Sequence, residues 1–318
     1  MEPPPLHWAS REKTVTLGGR PLRLRRWGWS RDSPTAAAEM AAARIEKLIA
    51  AGGPLPEEHG RRKQSRDGAA IRRLHDYYPA SPQREEVLEE VCDDDGRLIA
   101  ALTRNRYGAL ILNTDALLIA DVDLPEPQTR TGGLLSLFRR RDRGAGSAHE
   151  DASAAALAAV TAFAADHPDL GVRTYRTRGG FRVCITGSGA RPGSPEAEAL
   201  FSALGTDELY TRLCRTAGTC RARLTPKPWR IGCGRLPVRW PPDSATARRA
   251  YGEWVRRYEA ASANHSVCEI VAEASSPALA ALALPGPGSA PSGLTPSEMR
   301  VLRLHDLRSG VGAETPLA

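Results

Sequence analysis

Asp121 and Asp123 stand two positions apart at the end of an apolar run, Leu117-Leu-Ile-Ala-Asp121-Val-Asp123-Leu-Pro125. Residues at i and i+2 of a β-strand project from one face. Two carboxylates would therefore sit side by side where a buried strand ends. Paired hard oxygen ligands suit a divalent cation, Mg2+ or Mn2+, that in turn holds phosphates. The plainer reading is a strand running out into a solvated turn, where aspartates are common.

A second concentration of chemistry is Tyr175-Arg176-Thr-Arg178-Gly179-Gly180-Phe181-Arg182. A glycine hairpin lets backbone amides come close to an anion, and arginine forks match phosphate oxygens. Strand parity counted along the chain puts Arg176 and Arg182 on one side, with Arg178 in the turn. The competing reading is an ordinary hairpin with solvated arginines.

The third lies between Glu208 and Asp243. Arg212, Arg215, Arg221, Arg223, Lys227, Arg230, Arg235 and Arg239 fall there with no acidic residue among them. Like charges repel unless anions occupy the surface they make. Arg221 and Arg223 share strand parity. Thr225-Pro-Lys227-Pro-Trp229-Arg230 is stiffened by two prolines, so Lys227 and Trp229 have little freedom to lose on binding. Trp229 is placed to stack on a base, or else to plug the core.

Other residues carry weaker signals. His305-Asp306 could form an acid/base pair, and His75-Asp76 is a poorer case of the same dipeptide. Trp27 and Trp29 alternate with Gly28 and read as core packing. Cys214, Cys220, Cys233 and the His265/Cys268 pair match none of the usual zinc spacings, so packed thiols are expected there instead of zinc. The chain has no Walker loop, nucleophile elbow, H-E-x-x-H or Rossmann fingerprint.

The elements that must position these residues follow from pattern. Thr14-Val-Thr-Leu and Leu22 to Trp29 predict a hairpin turning on Gly18-Gly19. Ser33-Pro34 caps a helix from Thr35 to about Ala51. Residues 52–70 read as a linker, and residues 125–150, with Arg139-Arg-Arg-Asp-Arg143, as a surface insertion. Strands are expected over 97–104, 108–113, 117–123, 171–177 and 181–186, with a helix from Ala152 to Ala165 between the third and fourth. That order predicts an α+β fold built on an RRM-like mixed sheet, strand-strand-helix-strand-strand. Helices are expected at 195–204, 207–217, 243–259 and 295–307, and strands near 220–224, 229–233 and 265–271. The implied organisation is an N-terminal hairpin-helix unit with linker (1–70), an α+β core domain (71–275), and a linker with a C-terminal helix (276–318).

Composition bounds the class. The chain has 318 residues, 41% hydrophobic and 25% charged, as in a soluble globular protein. No apolar run approaches a membrane span, and the N-terminus lacks the pattern of a signal peptide, so the cytoplasm is the default and no membrane partner is expected. A formal charge of +7 favours anionic partners.

These residues together resemble the core of the archaeo-eukaryotic primase (primase-polymerase) superfamily. The likeness rests on Ile119-Ala-Asp121-Val-Asp123, which matches an hDhD/E strand, and on the glycine hairpin that follows. It covers roughly residues 98–275. The resemblance implies an RRM-like sheet, bound divalent cations and nucleotidyl transfer. Arg182 stands where that family has a nucleotide-contacting histidine, and Glu269 or Glu273 would have to supply its third acid. The chain also looks like bacterial and phage-associated proteins with a DxD strand, a hairpin arginine and an R-x-R-x-T-P-K-P-x-R segment, a likeness that implies no activity. The leading expectation is metal-assisted binding of nucleotide or nucleic-acid phosphate, extending to nucleotidyl or phosphoryl transfer. Asp121 and Asp123 would hold metal, Arg182 would join them in catalysis, and Arg176, Arg178, Gly179, Gly180, Arg221, Arg223, Lys227, Trp229 and Arg230 would bind phosphate. The alternatives are a non-catalytic RNA- or DNA-binding module and a partner-binding protein with a basic face.

Overall fold

Long alternating runs at the N-terminus close a hairpin, β1 (His7–Leu17) with β2 (Arg20–Ser30), in register from Trp8↔Trp29 to Leu17↔Arg20. The computed structural model describes residues 1–17, 20–51, 82–124, 144–274 and 294–318, so the Gly18-Gly19 turn lies outside the described residues. Helix α1 (Pro34–Ala50) begins as expected, with the Ser33 hydroxyl accepting from the Ala36 N–H. It packs so closely on the hairpin that a Cβ at Gly28 would stand 2.2 Å from the Ala37 carbonyl oxygen.

The remaining described strands form two four-stranded sheets. One runs β3 (Glu86–Cys92), β4 (Leu98–Arg104), β5 (Leu110–Thr114), β9 (Cys220–Arg223). The other runs β10 (Cys268–Ala274), β7 (Gly171–Thr177), β8 (Gly180–Thr186), β6 (Leu118–Asp123). The α+β class is as expected, but the single mixed sheet is not. Every strand pairing among the described residues is antiparallel, and β4 and β5 lie in a different sheet from β6. Apolar patterning makes a strand, whereas its neighbour is chosen by whichever edge the folded chain brings alongside. Here β9 takes the free edge of β5, and β6 pairs with β8. Helix α2 (Gly144–Asp166) connects β6 to β7 and starts earlier than the expected Ala152.

The two sheets meet where β6 runs beside β9 without a shared ladder. Side chains bridge the gap. Tyr210, on α4 (Glu208–Ala217), donates its hydroxyl proton to the Ile119 carbonyl at 2.7 Å and accepts from the Arg221 N–H at 3.3 Å. The Cys220 Sγ accepts from the Ile119 N–H at 3.4 Å. Helix α3 (Pro195–Ala203) buries Ala197 and Phe201 in the main core, and α5 (Ala245–Ser262) buries Tyr251, Trp254 and Tyr258. The last helix, α6 (Pro296–Ser309), starts with a Thr295/Glu298 capping box and inserts Val301 and Leu302 into the main core beside Leu102, Leu112, Ile119 and Val183.

Two local expectations change. The segment 229–233 is not a strand: Pro228–Arg230 forms a 3-10 turn, because neither Pro226 nor Pro228 can donate to a ladder. The Tyr258 hydroxyl ties this turn down by donating to the Pro226 carbonyl at 2.6 Å. The linker 52–70, most of the insertion 125–150, most of the linker expected before the C-terminal helix, and His75-Asp76 lie outside the described residues. Among the described residues no helix is long and apolar enough to cross a membrane.

Candidate functional site

The end of β6 is positioned by its partner strand. Asp121 pairs with Arg182 and Asp123 with Gly180, while Arg182 also pairs with Tyr175 of β7. Directly opposed residues share a face, so both aspartates, Arg182 and Tyr175 lie on one side of the sheet. Gly180 has no room for a side chain: a Cβ would fall 2.1 Å from the Val122 carbonyl oxygen. That close approach lets the Leu124 N–H donate to the Gly179 carbonyl at 2.9 Å and holds the hairpin tip against Asp123. A Cβ on Gly179 would stand 3.9 Å from the Asp123 Oδ1.

A third carboxylate joins them from α4. Asp207 is that helix's N-cap; its Oδ2 accepts from the Tyr210 N–H at 2.8 Å, and its own N–H donates to the Asp121 carbonyl at 3.0 Å. Partial burial holds the Asp123 carboxyl above the usual aspartate range, and repulsion from Asp121 and Asp207 adds to this; Lys227 and Arg223 pull the other way. Among the described residues, no three or more His, Cys, Asp and Glu side chains converge closely enough to cage a metal ion.

Facing this strand tip are three cations on β9 and the turn after it. Burial, with Arg182 and Arg230 close by, pushes the Arg223 guanidinium down to about 10, against a modest pull from Asp121. The Arg223 Nε is buried with no hydrogen-bond partner. Lys227 is also lowered, by burial first and then by Arg223 and Arg230. Trp229 is 47% exposed, edge-on to Tyr107 at 5.4 Å, with the Lys227 Nζ 5.9 Å from its ring. Asp121, Asp123, Arg223, Lys227 and Trp229 thus converge on one side of the molecule.

Several other expected residues are placed elsewhere. Arg182 is only 4% exposed, and its Nη1 donates to the Arg223 carbonyl at 3.1 Å and meets the His305 Nε2 at 3.0 Å. An arginine can only donate, so the His305 Nε2 accepts and its Nδ1–H points to the Asp306 Oδ1 at 2.9 Å. His305 is therefore neutral, in keeping with the downward push of its burial. Asp306 also accepts from the Tyr175 hydroxyl at 2.5 Å and from Arg173 at 2.7 Å, and Arg173 pairs with Glu273 at 2.6 Å. His305-Asp306 is thus the centre of a buried network instead of an open acid/base pair. That network fixes the β9 end through Arg182.

Arg176 and Arg182 do not share a face. The hairpin pairs Thr177 with Gly180, so Arg182 aligns with Tyr175 and Arg176 with Phe181. A two-residue turn exchanges the parity that counting along the chain suggests. Arg176 instead approaches Ser153 at 3.4 Å and Glu269 at 3.8 Å, and Arg178 is exposed at the tip. Glu269 and Glu273 are thus engaged with Arg176 and Arg173 on β7, away from the β6 tip. Arg221 turns away from Arg223 to pair with Glu85 at 2.7 Å and Asn113 at 2.6 Å, in the wall of a cavity of about 490 Å³. Cys184, Cys214, Cys220 and Cys268 are buried thiols.

Sequence reasoning missed Asp207 and Tyr210. Asp207 carried a signal, an aspartate immediately before a helix, but only as a cap. No family model, no curated protein and no solved structure matches this chain.

Proposed function

We propose that the cleft between the β6 tip and the Lys227–Arg230 turn binds the phosphates of a nucleotide or of a single-stranded nucleic acid. The observation that carries this reading is Arg223, a half-buried cation crowded by Arg182, Arg230 and Lys227, with a buried Nε that has no hydrogen-bond partner. Such charge is stabilised by an anion with several oxygens. Trp229, exposed beside Lys227 and Tyr107, offers a ring for a base.

The acidic side fits a divalent cation. Asp121 and Asp123 repel one another, and Mg2+ or Mn2+ is commonly held by one or two carboxylates with phosphate oxygens and water completing its shell. Bound there, the ion would neutralise phosphate charge and polarise a phosphorus–oxygen bond. Asp121 and Asp123 would hold it, Asp207 would add negative potential, and Arg223, Lys227 and Arg230 would orient the phosphates. These are parts suited to nucleotidyl or phosphoryl transfer by positioning and electrostatics. Arg182 in this scheme orients Arg223 from behind and does not touch substrate.

The test is a thermal-shift series with nucleoside triphosphates and short oligonucleotides, with and without Mn2+. A stabilisation that needs both nucleotide and Mn2+, and that Asp121→Ala/Asp123→Ala removes, supports the reading. If neither nucleotides nor oligonucleotides alter the melting temperature with Mn2+ present, the proposal fails. A non-catalytic module is favoured instead if oligonucleotide binding is strong and unaffected by the aspartate changes.

A further inference from the structure

We infer that the outer face of the β1–β2 hairpin is a second docking surface for single-stranded nucleic acid, built from residues outside the cleft. The hairpin's two faces are unlike. Leu24 and Gly28 turn inward to α1 and are buried. The opposite face carries Arg23, Arg25, Trp27 and Trp29 at alternate positions of β2, aligned with Thr14, Glu12, Ser10 and Trp8 of β1. Arg23 and Arg25 are exposed, and Trp27 is half-buried, not part of the core as its spacing suggested.

Two further arginines reach this face from distant parts of the chain. The Arg84 Cζ lies 3.8 Å above the Trp27 ring, and the Arg25 Cζ lies 5.3 Å from it. Arg239 is close enough, with Arg25, to push the Arg84 guanidinium down beyond the effect of its burial. Among the described residues, the charges that act on Arg84 are Arg239 first and then Arg25, both positive. Glu12 neutralises part of the strand, pairing with Arg23 and with Arg25 at 3.5 Å. Arg44 adds a guanidinium 4.6 Å from the Trp29 ring and is itself lowered by burial and by Arg26.

Two guanidiniums drawn onto one indole, with a third charge acting on one of them, are a costly arrangement for the protein alone. Self-repulsion of this kind is relieved by a chain of anions spaced along a surface, and guanidinium–indole stacks also accept a base on their open side. A single-stranded nucleic acid supplies both. An acidic protein segment or an anionic membrane surface supplies charge without a base to stack. The chemistry therefore selects single-stranded nucleic acid: backbone to Arg25, Arg84 and Arg239, base against the Arg84–Trp27 stack.

The experiment measures fluorescence anisotropy of a labelled oligothymidylate with the full chain across a salt series. Arg84→Ala/Arg239→Ala is expected to weaken binding several-fold and to flatten the salt dependence by about 0.7 in log–log slope for each phosphate that is no longer neutralised. Trp27→Leu should weaken binding with little change in that slope, because it removes stacking and not charge. If Trp27→Leu does not fold, Arg239→Glu, at an exposed loop position, carries the test by itself. The Mn2+-dependent nucleotide shift should be the same in Arg84→Ala/Arg239→Ala as in the parent, which separates this surface from the cleft. Unchanged oligothymidylate affinity in the double variant overturns the inference. So does polyglutamate, or vesicles of phosphatidylserine, competing as well as unlabelled oligothymidylate.

Discussion

Arg223→Met should make the protein more stable in the absence of ligand, although Arg223 is placed at the heart of the cleft. The guanidinium is held well below its ordinary value, down to about 10, chiefly by burial and then by Arg182. A base whose folded value lies below its unfolded value destabilises the native state at every pH where both states are protonated. The penalty is relieved only as the pH rises through about 10 and is gone above the unfolded value. At neutral pH it is fully present, and at about 1.4 kcal/mol for each tenfold in proton affinity it amounts to about 3 kcal/mol. Methionine keeps most of the buried stem and removes the charge, a replacement that in other buried ionic sites gains about 1–4 kcal/mol. The hydrogen bond from Arg182 goes to the main-chain carbonyl and survives the change. Urea denaturation at pH 7 should show a gain of about 1–3 kcal/mol, with an unchanged slope and a Tm higher by a few degrees. Pyrophosphate with Mn2+ should stabilise the parent and leave the variant unmoved. If Arg223→Met instead lowers stability by a kcal/mol or more, the arginine is paired within the native protein, and the argument for an anion in the cleft is wrong.

Three other outcomes follow from the same geometry. Asp123 is raised by partial burial and by its acidic neighbours, so its carboxylate is disfavoured at neutral pH and the strain is relieved as pH falls through its folded value; Mn2+ affinity, followed by titration calorimetry, should fade at a higher pH than an ordinary aspartate would give, and Asp207→Asn should move that midpoint down. Tyr210→Phe strips the bridge between Ile119 and Arg221 and leaves two buried backbone groups without a partner, a loss of about 1–3 kcal/mol in chemical denaturation; no loss would mean the seam relaxes or admits water. His305 is lowered by its burial, which outweighs Asp306, so it stays neutral while the unfolded chain takes up a proton below its ordinary value. Stability should therefore drop as pH falls through the unfolded histidine range, and His305→Gln, which can still accept from Arg182, should flatten that part of a pH–Tm curve.

Much of the local structure was legible. The capping serines, the prolines at helix starts and the alternating runs placed most elements within a few residues, because those signals act over one or two turns of chain. The strand at Leu118–Asp123 and the Arg178-Gly179 turn are such cases. The Trp229–Cys233 segment misled because β-forming residue types gave no weight to what Pro226 and Pro228 remove from a ladder.

Charge was harder to read. Eight cations without an intervening acid looked like one basic face, yet Glu85 neutralises Arg221 from far along the chain and Glu198 pairs with Arg215 from the preceding helix. Among the described residues, Arg223 and Lys227 have no ion pair of that kind and meet only the more distant pull of Asp121 and Asp123. The third acid near Asp121 was likewise found by a helix start and not by the strand expected to carry it, since Asp207 arrives through a main-chain hydrogen bond to β6.

By itself the sequence determined which segments become strands and helices, and that two aspartates leave one strand on a common face. Only the tertiary structure decided which sheet each strand joined, which arginines were drawn into ion pairs, and that His305 is a buried support braced by Asp306. The reason is range: propensity, capping and side-chain alternation act between near neighbours, whereas desolvation and charge pairing also depend on residues far apart in the chain, as Glu85 and Arg221 are.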